Sequence, residues 1–502
     1  MISHCCTSSI PTTSSPVHAD TVLVIDAGTS AMRAVAVRAD GGVTALGREP
    51  WRMFVPDDAS GFARELAPVE VAASLRRLIA QAAPIHGRLA GIAVTGQREG
   101  IVFLDAEDGA LFASPNVDGR ASAEGIAIDA RHGEQVYAVT GHLPSLMQAP
   151  AKLAWLRAHR PAVAERVRRV LPLVDWLAML LTGEGAMSRS LAAENGLLDV
   201  STGELALPLL GSLGVHGGML APVAADGAIV GTVRDGVFAG LPVVLAGADT
   251  QCALAGMGVV ADGAGVVAGW SAPVQLVARA PILDAQTRIW TGLHTAPARW
   301  VLESNAGECG RTWDWVCAMM SLPSDEAERL AQASPAGARD ALAVLGSRVM
   351  RASKMNAGIG ALTVPLPLVM SAPERGDVLR SVLESVAYAV RANTEQLEDV
   401  AGARIPRLAL GGGMSRSPLF ARVLADVVDR PVDVARAPET SALGAAAVAS
   451  PALGLHDTIE SAAEAMARPM RVIEPDARAS AIYEDCYGRW CGMADQLESG
   501  MM

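Results

Sequence analysis

The sequence predicts an α/β protein built from a duplicated unit, with a cleft between the two copies. Three observations predict it. The 502 residues exceed what one hydrophobic core organises. Hydrophobic residues make up 51% and charged residues 19%, the balance of a globular chain with large buried sheets. A strand–turn–strand pattern at residues 21–37 returns at 265–277, about 240 residues later, which reads as an internal repeat.

The first pattern opens with an apolar, β-branched run from Val22 to Ile25, the mark of a buried strand. Asp26 ends it. Gly28-Thr29-Ser30 makes a tight turn before a second strand at 34–37. Such a turn offers successive N–H groups and two hydroxyls to an anion. An acid at the strand end suits a hydrated Mg²⁺, which takes one or two carboxylates plus phosphate oxygens. The plainer alternative is an ordinary hairpin with a polar turn.

The net charge of −12 argues against a nucleic-acid-binding surface. Phosphates must then be held by local amides, a metal and a few cations. Seven cysteines without a CxxC pair fit a reducing, cytoplasmic setting. Residues 1–20 are rich in Ser, Thr and Pro and read as a disordered tail rather than a signal peptide. The apolar stretch 237–260 is broken by Gly, Pro and Asp249, so it reads as strand plus helix rather than a membrane span.

Along the chain, helical spacing is expected at 68–83, 121–138, 151–169 and 171–182. Strands are expected at 89–95 and 101–104. A polar loop, Pro115-Asn116-Val117-Asp118-Gly119-Arg120, follows. The strand at 241–245 runs into Gly247-Ala248-Asp249 and a small-residue helix. The second hairpin, 265–268 and 274–277, turns at Gly269-Trp270-Ser271. A long helix is expected at 375–399. The strand 408–410 feeds Gly411-Gly412-Gly413 and a helix at 418–429; a strand at 432–434 and an alanine-rich helix at 441–449 complete the pattern.

Three places carry chemistry. Asp249 leaves a buried strand toward the cleft, where a carboxylate can take the proton from an attacking hydroxyl. Residue types alone favour a helix N-cap there. Arg98 and Glu99 can donate to and accept from adjacent hydroxyls, or form a surface ion pair of little worth. The glycines 411–413 let backbone approach a nucleotide, or simply make a flexible turn. The histidines are scattered without metal-ligand spacing and read as structural.

The ordered set Asp26-x-Gly28-Thr29-Ser30-x-x-Arg33, Gln97-Arg98-Glu99, Asp118-x-Arg120, Gly247-x-Asp249, Gly411-Gly412-Gly413-x-Ser415 and Glu439-x-x-Ala442-x-Gly444 resembles the FGGY carbohydrate kinases. That family includes glycerol kinase, xylulokinase and the autoinducer-2 kinases. The resemblance spans about residues 21–450 and implies two actin-like (ribonuclease-H-like) domains. It further implies ATP with Mg²⁺, and phosphorylation of a sugar or polyol hydroxyl with Asp249 as base. The division expected is an N-terminal sugar-side domain, 21–246, and a C-terminal nucleotide-side domain, 247–497. By the same resemblance, Arg98, Glu99, Asp118, Arg120 and Asp249 bind substrate. Gly28, Thr29, Ser30, Arg33, Gly269 and Ser271 hold phosphates. Gly310, Asp314, Gly412, Gly413 and Ser417 hold the nucleotide, and Asp26 and Asp249 the metal. Asn116 stands where the family often has an aromatic residue, and Met147 roughly where glycerol kinase has a substrate-facing Tyr, which turns the reading toward a pentulose such as xylulose or a linear autoinducer-2 substrate. Trp270 replaces a small Thr in the second phosphate turn; Trp313 and Trp315 read as core. Expected partners are the sugar and ATP, with a homodimer allowed and no nucleic acid or membrane. Closure of the cleft on both ligands is expected. The rival readings are an actin-like ATPase switch and a sugar-binding protein without phosphotransfer.

Overall fold

In the computed structural model the expected hairpin forms where the described chain begins. The structure describes residues 19–499, apart from 58–60, 355–357, 367–368, 370–371 and 468–469. Most of the expected disordered tail, residues 1–18, lies outside the described residues. β1 (Thr21–Ala27) pairs antiparallel with β2 (Ala31–Arg38), and β3 (Val43–Pro50) extends the meander. After α1 (Pro68–Gln81), β4 (Leu89–Gly96) pairs parallel with β1. The chain then makes α2 (Ser122–Thr140), α3 (Ala149–His159), α4 (Leu173–Thr182) and α5 (Arg189–Glu194). It returns through β5 (Ile229–Thr232) to β6 (Pro242–Ala248), parallel to β4, and then to α6 (Asp249–Gly256).

The second sheet repeats this. β7 (Gly263–Val267) and β8 (Pro273–Ala278) form the second hairpin. β9 (Trp290–Leu293) and β10 (Trp300–Asn305) follow, then α7 (Cys309–Met319) and the long α8 (Arg375–Ala401). β11 (Leu408–Gly411), α9 (Pro418–Val428), β12 (Val432–Val434), α10 (Thr440–Ala449), α11 (Ile459–Ala467) and β13 (Arg471–Ile473) complete it. The strand orders are β5-β6-β4-β1-β2-β3 and β9-β10-β8-β7-β11-β12-β13. With β9 set aside the two sheets match strand for strand: three antiparallel, two more parallel, then an antiparallel edge. A smaller five-stranded sheet lies in the first half, between β4 and α4 in most of its strands.

One expected helix is wrong. Residues 151–169 do not form a single helix: α3 ends at His159, because Pro161 cannot continue it and drives Arg160 to φ −135°. Arg169–Pro172 is instead a strand paired to Ile101–Leu104. Trp313 is core, but Trp315 is not; its ring is 53% exposed on the outer face of α7.

The packing crosses the midpoint of the chain. One face of the first sheet, with Val22, Val24, Val35 and Val244, buries against Ala442, Ala446, Ala462 and Met466 of α10 and α11. α6 crosses α10 backbone to backbone. A Cβ on Gly444 would overlap the Cys252 carbonyl oxygen, and one on Gly256 would overlap that of Thr440. Gly444→Ala should therefore destabilise by about 1–3 kcal/mol in denaturant unfolding, the cost of overpacking a filled site. It should also lower turnover, because Asp249 is the first residue of α6. Gly488→Ala, on an exposed helix face with open space around it, serves as the control and should not destabilise.

Candidate active site

Three parallel strands end side by side. Asp26 of β1 lies opposite Thr95 of β4, and Thr95 lies opposite Gly247 of β6. The Thr95 hydroxyl donates to the Gly247 carbonyl at 2.8 Å, stitching the strand ends together. Gly247 has φ 93°, a conformation open to glycine, beside a register shift that redirects β6 into α6. Asp26, Arg98 and Asp249 thus emerge at one edge of one sheet, the position where open α/β sheets bind ligands.

Asp26 is buried. Its Oδ2 accepts from Arg33 Nη2 at 2.6 Å, while Oδ1 is buried without a partner. Asp249 is not the helix cap: Ala248 holds the cap position, and no side-chain cap bond forms. Burial and the nearby Asp26 raise the Asp249 carboxyl to about 6, against the pull of Arg98 and Arg33.

Arg98 does not pair with Glu99. Its guanidinium grips Glu303 of β10 with two bonds, 2.6 and 3.0 Å, and meets Glu194 of α5 at 3.3 Å. Gln275 of β8 donates to Glu303 at 2.8 Å, and Gln251 of α6 to Glu194 at 2.6 Å. His142 belongs to the same cluster, contrary to its reading as a scattered structural residue. Its Nδ1 faces the Thr140 carbonyl at 2.9 Å and its Nε2 faces Glu194 at 3.2 Å. Both ring nitrogens face acceptors, so the ring carries both protons. Although burial opposes charge on each, the pair sustains it: His142 is shifted up, and Glu194 is held down at about 2 by Arg98 and His142. Trp290 lies against Arg98 and His142, with centroid distances of 5.6 and 5.5 Å. Glu99 stays apart, its carboxyl shifted up by burial and with no hydrogen-bond partner among the described residues.

Asp118 and Arg120 are enclosed rather than open to a ligand. Arg120 Nε bonds both Asp118 oxygens at 2.9 and 2.7 Å. Its remaining nitrogens reach Glu65 and the Arg64 carbonyl, and its plane lies between Phe112 and Trp155. Every nitrogen is engaged by protein, so this pair orders the 115–120 loop. The loop in turn supports the first phosphate-type turn. Asn116 donates to Thr29 Oγ1 at 3.0 Å and, through its backbone, to Gln97 Oε1 at 2.7 Å. Gln97 reaches the Gly28 carbonyl at 3.3 Å, and Ser30 is exposed.

On the second sheet the turns also converge. Gly412 has φ 83°, and a Cβ there would stand 2.7 Å from the Ala268 carbonyl oxygen. Met414 N–H donates to that same oxygen, so Gly412-Gly413 lies along the 268–271 turn. A Cβ on Gly310 would overlap the Gly269 carbonyl, which seats the start of α7 against that turn. Gly269, Ser271, Gly310, Gly412 and Gly413 are therefore brought together. Trp270 remains 45% exposed, so its ring is not packed into the interior. Ser417 is a helix cap: its hydroxyl accepts from Phe420 N–H at 2.9 Å and donates to Glu328 at 2.6 Å. Asp314 lies on the exposed side of α7.

α5 joins strand end to ion cluster. The Ser190 hydroxyl accepts from Ala248 N–H at 3.0 Å and meets Asp226 at 3.1 Å. Ser188, just before the helix, binds the buried Asp175 through its N–H at 2.8 Å and its hydroxyl at 2.9 Å. At the far end is Glu194. Among the described residues there is no cluster of three or more potential metal-ligating side chains. Two carboxylates, one with an orphaned buried oxygen, still match Mg²⁺ arriving with phosphate oxygens and water.

Residues 21–256 match the N-terminal domain of the FGGY family of carbohydrate kinases, and residues 264–453 match its C-terminal domain. The chain is 28% identical to autoinducer-2 kinase of Escherichia coli (strain K12) over 505 residues, covering 95% of this chain and 94% of the relative. It is 29% identical to autoinducer-2 kinase of Klebsiella pneumoniae over 510 residues, with the same coverage. Among solved structures, xylulose kinase from Rhodospirillum rubrum superposes with a TM-score of 0.83 at 25% identity, over 95% of this chain and 99% of that one. Plasmodium falciparum glycerol kinase with ADP superposes at 0.82 with 16% identity, over 94% and 98%.

Burial raises the Asp175 carboxyl to about 7, against hydrogen bonds from Ser188. A carboxyl raised on folding stabilises the protein at low pH and loses that contribution as pH rises from its unfolded value, 3.8, through about 7. Asp175→Asn should flatten the decline of stability across that window. Denaturant unfolding of both proteins from pH 4 to 8 measures it; parallel curves would refute the assignment.

Proposed function

The chain belongs to the FGGY family of carbohydrate kinases and is an ATP-dependent sugar kinase; we propose that its acceptor is a linear, polyhydroxylated ketone of the autoinducer-2 or pentulose type, with Asp249 as general base. The observation that carries this reading is the shared row of strand ends, which delivers Asp26, Arg98-Glu99 and Asp249 to one edge. The relatives named autoinducer-2 kinase favour the first substrate and the xylulose kinase fold the second.

The sugar lies against Glu99, whose unpaired carboxyl accepts from a hydroxyl, and against Arg98, which keeps its Nε–H for a sugar oxygen. The reacting hydroxyl faces Asp249, which takes its proton as the oxygen attacks the γ-phosphoryl group. With a value of about 6 the carboxylate is mostly ionised at neutral pH. Asp26 and Asp249 would hold Mg²⁺, which supplies charge neutralisation on the phosphates when bound. Gly28, Thr29, Ser30, Arg33, Gly269 and Ser271 hold phosphate oxygens. Gly310, Gly412 and Gly413 admit the nucleotide, with Asp314 and Ser417 at the margin of that site. Asp118 and Arg120 serve the sugar by holding the 115–120 loop.

An ADP-release screen across pentuloses, hexuloses, polyols and the autoinducer-2 precursor tests the substrate class, and turnover is expected on the linear ketones. ATP binding without turnover on any of them would favour the sugar-binding or ATPase-switch reading. Asp249→Asn should lower kcat at least ~10²-fold with ATP binding retained by calorimetry; near-normal turnover would remove Asp249 as the base.

The phosphate turns sit on different sheets, so one γ-phosphate meets both only when the halves approach. Solution scattering should give a smaller radius of gyration with sugar and a non-hydrolysable ATP analogue than without ligands. Equal radii in a sample competent for turnover would leave a preformed site.

A further inference from the structure

Glu99 sits in a backbone conformation that its residue type disfavours. Its φ is 61°, and Gly100 N–H donates to the Arg98 carbonyl at 2.7 Å, closing a three-residue turn around it. A turn of that hand at a non-glycine residue is rare and strained. The site's unpaired carboxyl is thus mounted on backbone that would relax elsewhere if nothing held it.

What holds it is Lys152. The side chain is fully buried on α3, and its Nζ donates to the Glu99 carbonyl at 2.7 Å and to the Pro115 carbonyl at 3.3 Å. No carboxylate oxygen lies within ion-pairing distance of it among the described residues. Burying an ammonium against neutral carbonyls is costly, and burial lowers this one to about 8 despite the pull of Asp118 and Glu99. The chain has only one other lysine, Lys354, its remaining permanent cations being arginines. A compact point donor on an unbranched stem can reach both neighbouring carbonyls from one buried position. Trp155, one turn along the same helix face, packs on Arg120. α3 therefore supports the clamp and the 115–120 loop together.

We propose that Lys152 is a positioning residue for the sugar site: its ammonium holds the strained turn at Glu99 and ties it to the Pro115 loop, so that the Glu99 carboxylate is aimed before substrate arrives. This rests on the sugar-kinase reading of the cleft for its kinetic consequence, but not for its conformational one.

Two measurements test it. In steady-state kinetics, Lys152→Met should raise the sugar KM at least tenfold with the ATP KM within twofold of wild type. Lys152→Gln, which keeps a donor, should recover part of the loss. An unchanged sugar KM in a folded Met variant overturns the proposal. The second measurement needs no turnover: thermal unfolding of Lys152→Met in the wild-type and Glu99→Gly backgrounds. Glycine relieves the strain, so the loss of thermal midpoint should be clearly smaller in the Glu99→Gly background. Folding of the Lys152 variants only in that background would support the proposal equally. Equal losses in both, or failure to fold in both, would show that Lys152 serves the core and not the turn. If wild type phosphorylates no sugar, the sugar-kinase reading fails and the unfolding comparison alone decides on Lys152.

Discussion

The bidentate grip of Arg98 on Glu303 is the contact on which the arrangement of the cleft depends. Arg98 follows the end of β4 in the first sheet; Glu303 lies in β10 of the second. A buried guanidinium is tolerable only if its charge is met at short range, because its solvation has been removed. Here it is met from both halves, by Glu303 on one side and Glu194 on the other. The doubly protonated His142 then balances the second carboxylate. Two cations and two carboxylates cancel locally, and Gln251 and Gln275 use their amides to fix the carboxylates in place. Removing one member would leave an uncompensated charge, which is why such a cluster acts as one unit.

The same contact is one of several that tie β9 and β10 to the first half. Beside it, the Gly141 carbonyl accepts from Thr291 N–H at 3.0 Å, Tyr137 donates to the Ile289 carbonyl, and Trp300 Nε1 donates to the Val200 carbonyl at 2.7 Å. These bonds dock β9 and β10 onto α2 and its surroundings. The halves are joined a second time by α10 and α11, which pack on the first sheet and cross α6.

Much of this was legible in the sequence because it is local. Period-two runs and glycine turns mark β1, β2, β7 and β8, and their repetition gives the duplication. The motif order placed Asp26, Arg98, Asp249 and Gly412 correctly relative to strand ends. What escaped is set by partners far apart along the chain. Glu303 is separated from Arg98 by 205 positions, and nothing near either residue announces the other. Arg120 carries a motif that suggests a ligand, yet Glu65 and Arg64 come from elsewhere to consume its donors. His142 looked isolated because its acceptor, Glu194, lies far along the chain at the end of α5. The break at Pro161 was available locally, since proline forbids the helix that the apolar spacing suggested.

The return of α10 and α11 to the first sheet has a consequence for how the protein is made. Val22, Val24, Val35, Val37 and Val244 are all synthesised before residue 250, but the helices that cover them end at Ala467. For the time it takes a ribosome to add those last two hundred or so residues, roughly 10 to 40 s at 5–20 residues per second, a β-branched sheet face has no permanent cover. Biosynthesis thus imposes on this chain an interval in which a half-clad sheet must avoid its neighbours on the polysome, and the α10–α11 segment is what ends that exposure.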